Sequence, residues 1–405
     1  MVRARRRWLA LAVVVLVLLA GGAAYQLERP LPRAQLLGMP SASWSAPGSP
    51  PTPAWPGSGQ ASLYLQGWGW LGSSPDQRSV PIASVTKVMT ALVTLRSHPL
   101  EVGAAGPEIP VSAADVTLYQ QERAAGDSVV AVAAGQPLSE EQALQGLLIA
   151  SGDNLAAMLA NWVAGSQAAF VARMNQAASG LGLTQTRFAD PSGLDPQSVS
   201  TARDLVLLAR AALELPAFAA VVRQSSVPLP LGGAQPNYNP ILGQAGVSGV
   251  KTGWTEQAQG CLLFSALSRL RGHAVTLLGA VLGQPGGPSS RLQAAGQAAL
   301  RLLAEARPRL RLLRLPPAGV GLGRLRAAWS SGSALRADGR TEVVVPGGAL
   351  LRLQLLSHPG KPPWRRSEVV ARLRFSGPLG TLATVDLSPV KAVPGPTWWW
   401  RLLHF

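Results

Sequence analysis

Two lysines and two serines stand where they could do covalent chemistry. In the stretch Pro81–Leu92 a proline and a serine open an apolar helical pattern, and Lys87 follows Ser84 by three residues. Residues three apart on a helix share a face, so the hydroxyl and the amine can meet. A serine oxygen beside an amine, at the positive end of a helix dipole, is an activatable nucleophile. The plainer alternative is a serine cap followed by a solvated lysine, and lysine usage weighs against it. Of 36 Lys and Arg only four are lysine: Lys87, Lys251, Lys361 and Lys391. Arginine supplies charge but does not give up its proton, whereas a desolvated lysine can act as a base. The second of these lysines opens Lys251-Thr252-Gly253, followed by Trp254. Between the two, Ser151-Gly152-Asp153-Asn154 breaks an apolar helical pattern. That tetrad is either a simple helix–helix turn or a set of polar side chains projected from a rigid base.

The elements that must hold these groups can be read from periodicity. Ala61–Trp70 alternates as a strand, with a turn over Gly72–Arg78. Residues 139–164 form two helical stretches, opened by a capping-box pattern at Ser139–Gln142 and bent at the tetrad. Phe170–Leu181 and Thr201–Leu215 are helical, with a compact turn cluster at Asp190–Asp195 between them. Cys261–Leu267 and Ala274–Leu282 read as an antiparallel hairpin, which puts Lys251 on or just before its first strand. Arg291–Leu303 is a closing helix. From about Arg307 short β-like runs follow at Glu342–Val345, Leu350–Leu356, Val369–Phe375 and Thr381–Leu387. They end in the aromatic tail Trp398–Phe405, either an interfacial anchor or a last strand packing its tryptophans. Helices with antiparallel strands, then strands alone, give an α/β (α+β) fold followed by a small all-β module.

Composition narrows the function classes. The 405 residues carry a formal net charge of +16, which suits an anionic partner such as acidic lipid or a cell-wall polymer. No zinc-finger, RNP or basic-helix pattern accompanies that charge, so nucleic acid is not expected. One cysteine, Cys261, and four scattered histidines leave neither an internal disulfide nor a metal site, and no cofactor is expected. At the N-terminus Arg3, Arg5, Arg6 and Arg7 precede an apolar run from Trp8 to about Ala24. Residues 1–28 are therefore a signal peptide or a retained membrane anchor, and positive-inside logic puts the rest of the chain outside the cytoplasm. Residues 29–60 hold eight prolines and no apolar period, an extended spacer. The main domain then spans 61–305 and the β-rich module 306–405.

The ordered set Ser84-x-x-Lys87, Ser151-Gly-Asp153 and Lys251-Thr252-Gly253 resembles the signature of penicillin-binding proteins. The stretches Pro81–Leu92, Leu147–Ala160, Phe188–Leu205 and Gly249–Ser265 are similar to the low-molecular-mass members, the serine D-Ala-D-Ala carboxypeptidases. The resemblance implies a β-lactamase/DD-peptidase-like catalytic domain with an antiparallel sheet and a helical subdomain. It implies that Ser84 attacks the carbonyl between the last two D-alanines of a peptidoglycan stem peptide, and that Lys87 takes its proton. Ser151 would relay a proton to the leaving amine, with Lys251 keeping the field positive. Backbone N–H groups of Ser84 and Trp254 would form the oxyanion hole, and Thr252 with Arg291 would hold the terminal carboxylate. A β-lactam would leave Ser84 acylated. Asp153 departs from the pattern, which usually has asparagine there. A carboxylate donates only when protonated, so Asp153 could pair instead with Lys87 or Lys251. A serine β-lactamase of class A would need a glutamate after the middle motif, and the next one is Glu214. The rival from another class is a non-catalytic or β-lactam-sensing wall-binding protein of the same fold, which Asp153 favours.

Overall fold

A computed structural model describes residues 2–287, 290–357 and 359–404. The chain divides into two units: Pro47–Arg311 with Val344–Gly348, and Met1–Ala46 with Leu312–Val343 and Ala349–Phe405.

The first unit is built on a five-stranded antiparallel sheet. Its strands are β1 (Gln60–Leu65), β2 (Gly69–Ser73), β3 (Val247–Thr255), β4 (Gln259–Leu270) and β5 (His273–Gln284), in the order β3-β4-β5-β1-β2. Ala61–Trp70, expected as one strand, is the hairpin β1–β2, because Gly67 takes a φ of +82° and lets the chain reverse. Lys251 lies within β3 itself, the edge strand paired with β4, rather than at the start of the β4–β5 hairpin. The helices are α1 (Lys87–Ser97), α2 (Ala113–Ala125), α3 (Glu140–Leu148), α4 (Asp153–Ala164), α5 (Gln167–Gly180), α6 (Ala202–Leu213), α7 (Pro216–Val221) and α8 (Arg291–Ala306). Helices α6 and α8 pack on the sheet, while α1 is the hub of a helical subdomain, touching α3, α4, α5 and α6. Every residue of α1 from Lys87 to Leu95 is buried, as a helix surrounded on all sides requires. Helix α2 lies in a stretch that periodicity left unassigned. It opens with a reciprocal capping box between Ser112 and Asp115 and closes on Gly126 in the left-handed region.

The second unit begins with the helix Val2–Glu28, whose apolar stretch Ala4–Glu28 has a mean hydropathy of 2.3 and no burial. Its seven-stranded sheet runs in the order Gln35–Leu37, Arg324–Ala327, Ser330–Asp338, Gly380–Pro389, Ala371–Gly377, Leu350–Ser357, Ser43–Ser45. The two outermost strands come from residues 29–60, read from sequence as a spacer. Three-residue strands leave no periodicity to detect, and here the sheet edges supply their hydrogen bonds. The aromatic tail is a helix, Trp398–Leu403, capped by the Thr397 hydroxyl, and not a last strand; Phe405 lies outside the described residues. The Thr397 hydroxyl accepts the Trp400 N–H, a cap that starts the chain in a helical turn.

Candidate active site

The three polar stretches meet at one cleft of about 310 Å³. Ser84 sits in a 3₁₀ turn, Ala83–Thr86, that runs directly into α1, so Lys87 is the first residue of the helix. Lys87 is fully buried, and its amine nitrogen meets three oxygens. Nζ lies 2.7 Å from Ser84 Oγ, 2.6 Å from Asp153 Oδ1 and 3.5 Å from Ser151 Oγ. Ser151 and Asp153 come from the sharp joint between α3 and α4. Ser151 has a φ of +61° there, and Asp153 opens α4. Lys251 reaches in from β3, donating to Ser151 Oγ at 3.1 Å and to the Thr252 carbonyl at 3.0 Å. Ser151 Oγ thus bridges two buried amines, and only Lys87 has a carboxylate. Burial holds the Lys251 amine well below its usual pKa, and the neighbouring Lys87 pushes the same way against the pull of Asp153.

Backbone geometry fixes the nucleophile. Ala83, just before Ser84, has a φ of +47°, a costly conformation for a residue with a side chain. Gly193 lies against it: a Cβ there would fall 1.9 Å from the Ala83 carbonyl oxygen. Gly193 belongs to the Asp190–Asp195 turn, organised by a single carboxylate. Asp190 Oδ2 accepts from the N–H groups of Ser192 (3.1 Å), Gly193 (2.7 Å) and Leu194 (3.0 Å), and Oδ1 from the Ser198 hydroxyl (2.5 Å). The Thr90 hydroxyl, on α1, donates to the Pro191 carbonyl at 2.5 Å. On the other side Gly253 approaches the nucleophile loop. A Cβ at that position would sit 2.8 Å from the Ser84 nitrogen and 2.9 Å from that of Val85. The glycine of Lys-Thr-Gly is there because nothing larger lets β3 lie beside the nucleophile turn. Opposite it on β4, burial pushes the Cys261 thiol up to about 12, so it offers no competing nucleophile.

Thr252, Gly253 and Trp254 line the cleft with Ser84, Ser151 and Asp153. Arg291 does not. Its guanidinium makes a bidentate pair with Glu256, both contacts 2.8 Å, gives Nε–H to the Gly286 carbonyl at 2.7 Å, and lies 5.4 Å from the centre of the Trp254 ring. The arginine expected on a substrate carboxylate is instead engaged behind the indole wall. Asp153 pairs with Lys87 and not Lys251, and its second oxygen accepts the Ser128 N–H at 3.1 Å. The neighbouring Asn154 is spent on the Val130 backbone, donating at 2.8 Å and accepting at 3.0 Å.

Sequence reasoning missed the wall made by Gly126, Asp127 and Ser128 at the end of α2, together with Tyr238 and Leu292. The Ser112-to-Asp115 capping box was the available signal for that helix. This wall carries one carboxylate, Asp127, and Glu122 on the last turns of α2 feels its charge. Burial raises the Asp127 carboxyl, with Asp153 adding to it, and raises Glu122 to about 7, helped by Asp153 and Asp127.

The chain is similar to known proteins over this same region. A model of the D-alanyl-D-alanine carboxypeptidase family, peptidase S11, matches residues 71–284. The chain is 34% identical over 222 residues to the Mycobacterium tuberculosis D-alanyl-D-alanine carboxypeptidase DacB2, covering 53% of this chain and 72% of that one. It is 33% identical to the Escherichia coli D-alanyl-D-alanine carboxypeptidase DacC, spanning about half of each chain (50% and 51%). Among solved structures, the Streptomyces K15 DD-transpeptidase superposes with a TM-score of 0.54 at 26% identity, over 64% of this chain and 98% of that one. Penicillin-binding protein 5 from Haemophilus influenzae covers 86% of this chain and all of its own, with a TM-score of 0.60. At 21% identity it speaks for the shared fold.

Proposed function

The chain belongs to the D-alanyl-D-alanine carboxypeptidase family, and from that premise we propose that it removes the terminal D-alanine of peptidoglycan stem peptides through an acyl-enzyme on Ser84. The observation that carries this reading is the Lys87 amine, 2.7 Å from Ser84 Oγ and bonded within the same buried cluster to Asp153 and Ser151. As the neutral amine, Lys87 takes the Ser84 proton as Oγ attacks the penultimate D-alanine carbonyl, and Asp153 balances the ammonium charge that this transfer creates. Backbone N–H groups of Ser84 and Trp254 stabilise the oxyanion. Ser151 passes a proton to the departing D-alanine amine, and Lys251 orients its hydroxyl at 3.1 Å. Thr252 is the side chain available to the terminal carboxylate, since Arg291 is bound to Glu256. Water then releases the acyl group.

A β-lactam presents the same carbonyl to Ser84 and acylates it. The N-terminal helix holds the enzyme at a membrane with the cleft outside the cytoplasm. The β-lactamase and sensor alternatives are not favoured, since the relatives are carboxypeptidases by name. The test is release of free D-alanine from a peptide ending in D-Ala-D-Ala, run beside fluorescent penicillin labelling. Both signals, each lost in Ser84→Ala, are expected. Labelling of Ser84 with no D-alanine released would replace the enzyme by a sensor.

A further inference from the structure

The net charge of the chain is concentrated in one of its two units. The unit holding Met1–Ala46, Leu312–Val343 and Ala349–Phe405 contains 19 of the 36 Lys and Arg but only five of the 20 Asp and Glu. It therefore carries +14 of the total +16, and the unit with the cleft is close to neutral. The asymmetry is not confined to the start of the N-terminal helix. Outside Val2–Glu28 the unit still has 15 basic residues against four acidic ones. Three of those four acids are already paired: Asp338 with Arg336, Glu342 with Arg314 and Asp386 with Arg372. Arg324, Arg326, Arg340, Arg352 and Arg366 are exposed and have no carboxylate partner among the described residues.

A second observation identifies what meets this charge. The Trp398–Leu403 helix lies against the apolar N-terminal helix, and the Arg401 guanidinium bonds the Leu27 carbonyl at its very end. Trp400 turns back onto Trp329, at 5.5 Å between ring centres, while Trp398 and Trp399 are 56% and 57% exposed. Uncovered indoles beside the end of an apolar helix, in a unit rich in unpaired guanidinium groups, match the chemistry of a headgroup layer. A soluble polyanion would use the charge but would not account for exposed indoles placed beside the end of the apolar helix.

We propose that this arginine-rich unit docks on the anionic headgroup surface of the bilayer that holds the N-terminal helix, its exposed arginines binding lipid phosphates and Trp398 and Trp399 entering the interface. Each such arginine adds a screened attraction, so binding depends on acidic lipid and falls with salt.

The full chain carrying Ser367→Cys can be labelled with a fluorophore beside Arg365 and Arg366, because the natural Cys261 is buried. Reconstituted in vesicles with about a third phosphatidylglycerol, the label should be quenched by headgroup-quencher lipid. Quenching should fall at least about twofold in phosphatidylcholine alone, in roughly 0.5 M salt, and in a variant with Arg324, Arg326, Arg352 and Arg366 all changed to Gln. The calorimetric transition of the arginine-rich unit in each variant reports that this unit is folded, penicillin labelling of Ser84 does the same for the other unit, and both are independent of the docking result. Quenching indifferent to phosphatidylglycerol, salt and the four arginines would overturn the proposal. So would an unquenched label with salt-sensitive binding of added poly(glycerol phosphate), which would assign the charge to a wall polymer.

Discussion

Lys87 and Asp153 share a buried contact of 2.6 Å, and this pair sets what a substitution at either position can do. Arginine at 87 would keep the positive charge opposite Asp153 but could not accept the Ser84 proton. Lys87→Arg is therefore expected to lower the rate of Ser84 acylation by at least about 10²-fold, the usual scale for losing a positioned base. Time-resolved labelling with a fluorescent penicillin measures it, and labelling near the wild-type rate would remove Lys87 from its assigned role. The aspartate at 153 was visible as a departure from the motif, but its partner was not. Lys87 and Lys251 lie 64 and 100 residues from Ser151, and only the folded chain shows that one of them faces the carboxylate.

Among the elements, the Asp190–Asp195 turn and the start of α3 bear the clearest consequences. Asp190 orders the turn whose Gly193 abuts the Ala83 carbonyl, so it acts on the nucleophile at one remove, as a positioning residue. Asp190→Asn should slow acylation by roughly 10- to 100-fold, as a displacement of about 1 Å at a reacting atom would. Asp204→Asn is the control, because that carboxylate also ties down its own loop, through Gln185 N (2.9 Å) and Thr186 Oγ1 (2.8 Å), away from the cleft. If both variants lose equal thermal stability and equal acylation rate, Asp190 is merely structural. At the start of α3, Glu140 is fully buried with neither carboxylate oxygen hydrogen-bonded, and burial raises its pKa from 4.5 to about 7. The folded protein thus keeps a proton that the unfolded chain has already released, so this contribution to stability is present at low pH and is lost as pH rises through about 7. At about 1.4 kcal/mol per pKa unit the loss is on the order of 3 kcal/mol. Thermal unfolding of Glu140→Gln across that pH range should be flatter than that of the wild type, and an unchanged slope would sink the assignment.

On the scale of the whole molecule, the strands Gln35–Leu37 and Ser43–Ser45 close the two edges of the seven-stranded sheet. A chain begun at Pro47 would expose those edges. Calorimetry should then show the transition of the C-terminal module lowered by several degrees, roughly 4–8 °C for each kcal/mol lost in a domain of this size. Penicillin labelling of Ser84 in the other unit should be unchanged. Coincident wild-type transitions would mean that these strands contribute nothing to the module.

The sequence by itself determined the reacting groups and their supports. Four lysines among 36 basic residues, a Ser-to-Lys spacing of one helical turn and a polar break between apolar helices are local facts, and local periodicity writes them into the chain. It also placed α3 to α6, β4, β5 and α8, because each buries a long stripe or run of apolar residues. It could not show α2, none of whose residues is buried, or the three-residue edge strands, which exist only because a sheet assembled elsewhere offers them hydrogen bonds. Only the tertiary structure decided that Asp153 faces Lys87, that Glu256 occupies Arg291, and that Gly193 and Gly253 close on the nucleophile turn from either side. Those are contacts between residues scores of positions apart or separated by a turn of unknown direction, and no pattern along the chain encodes the direction in which a side chain meets its partner.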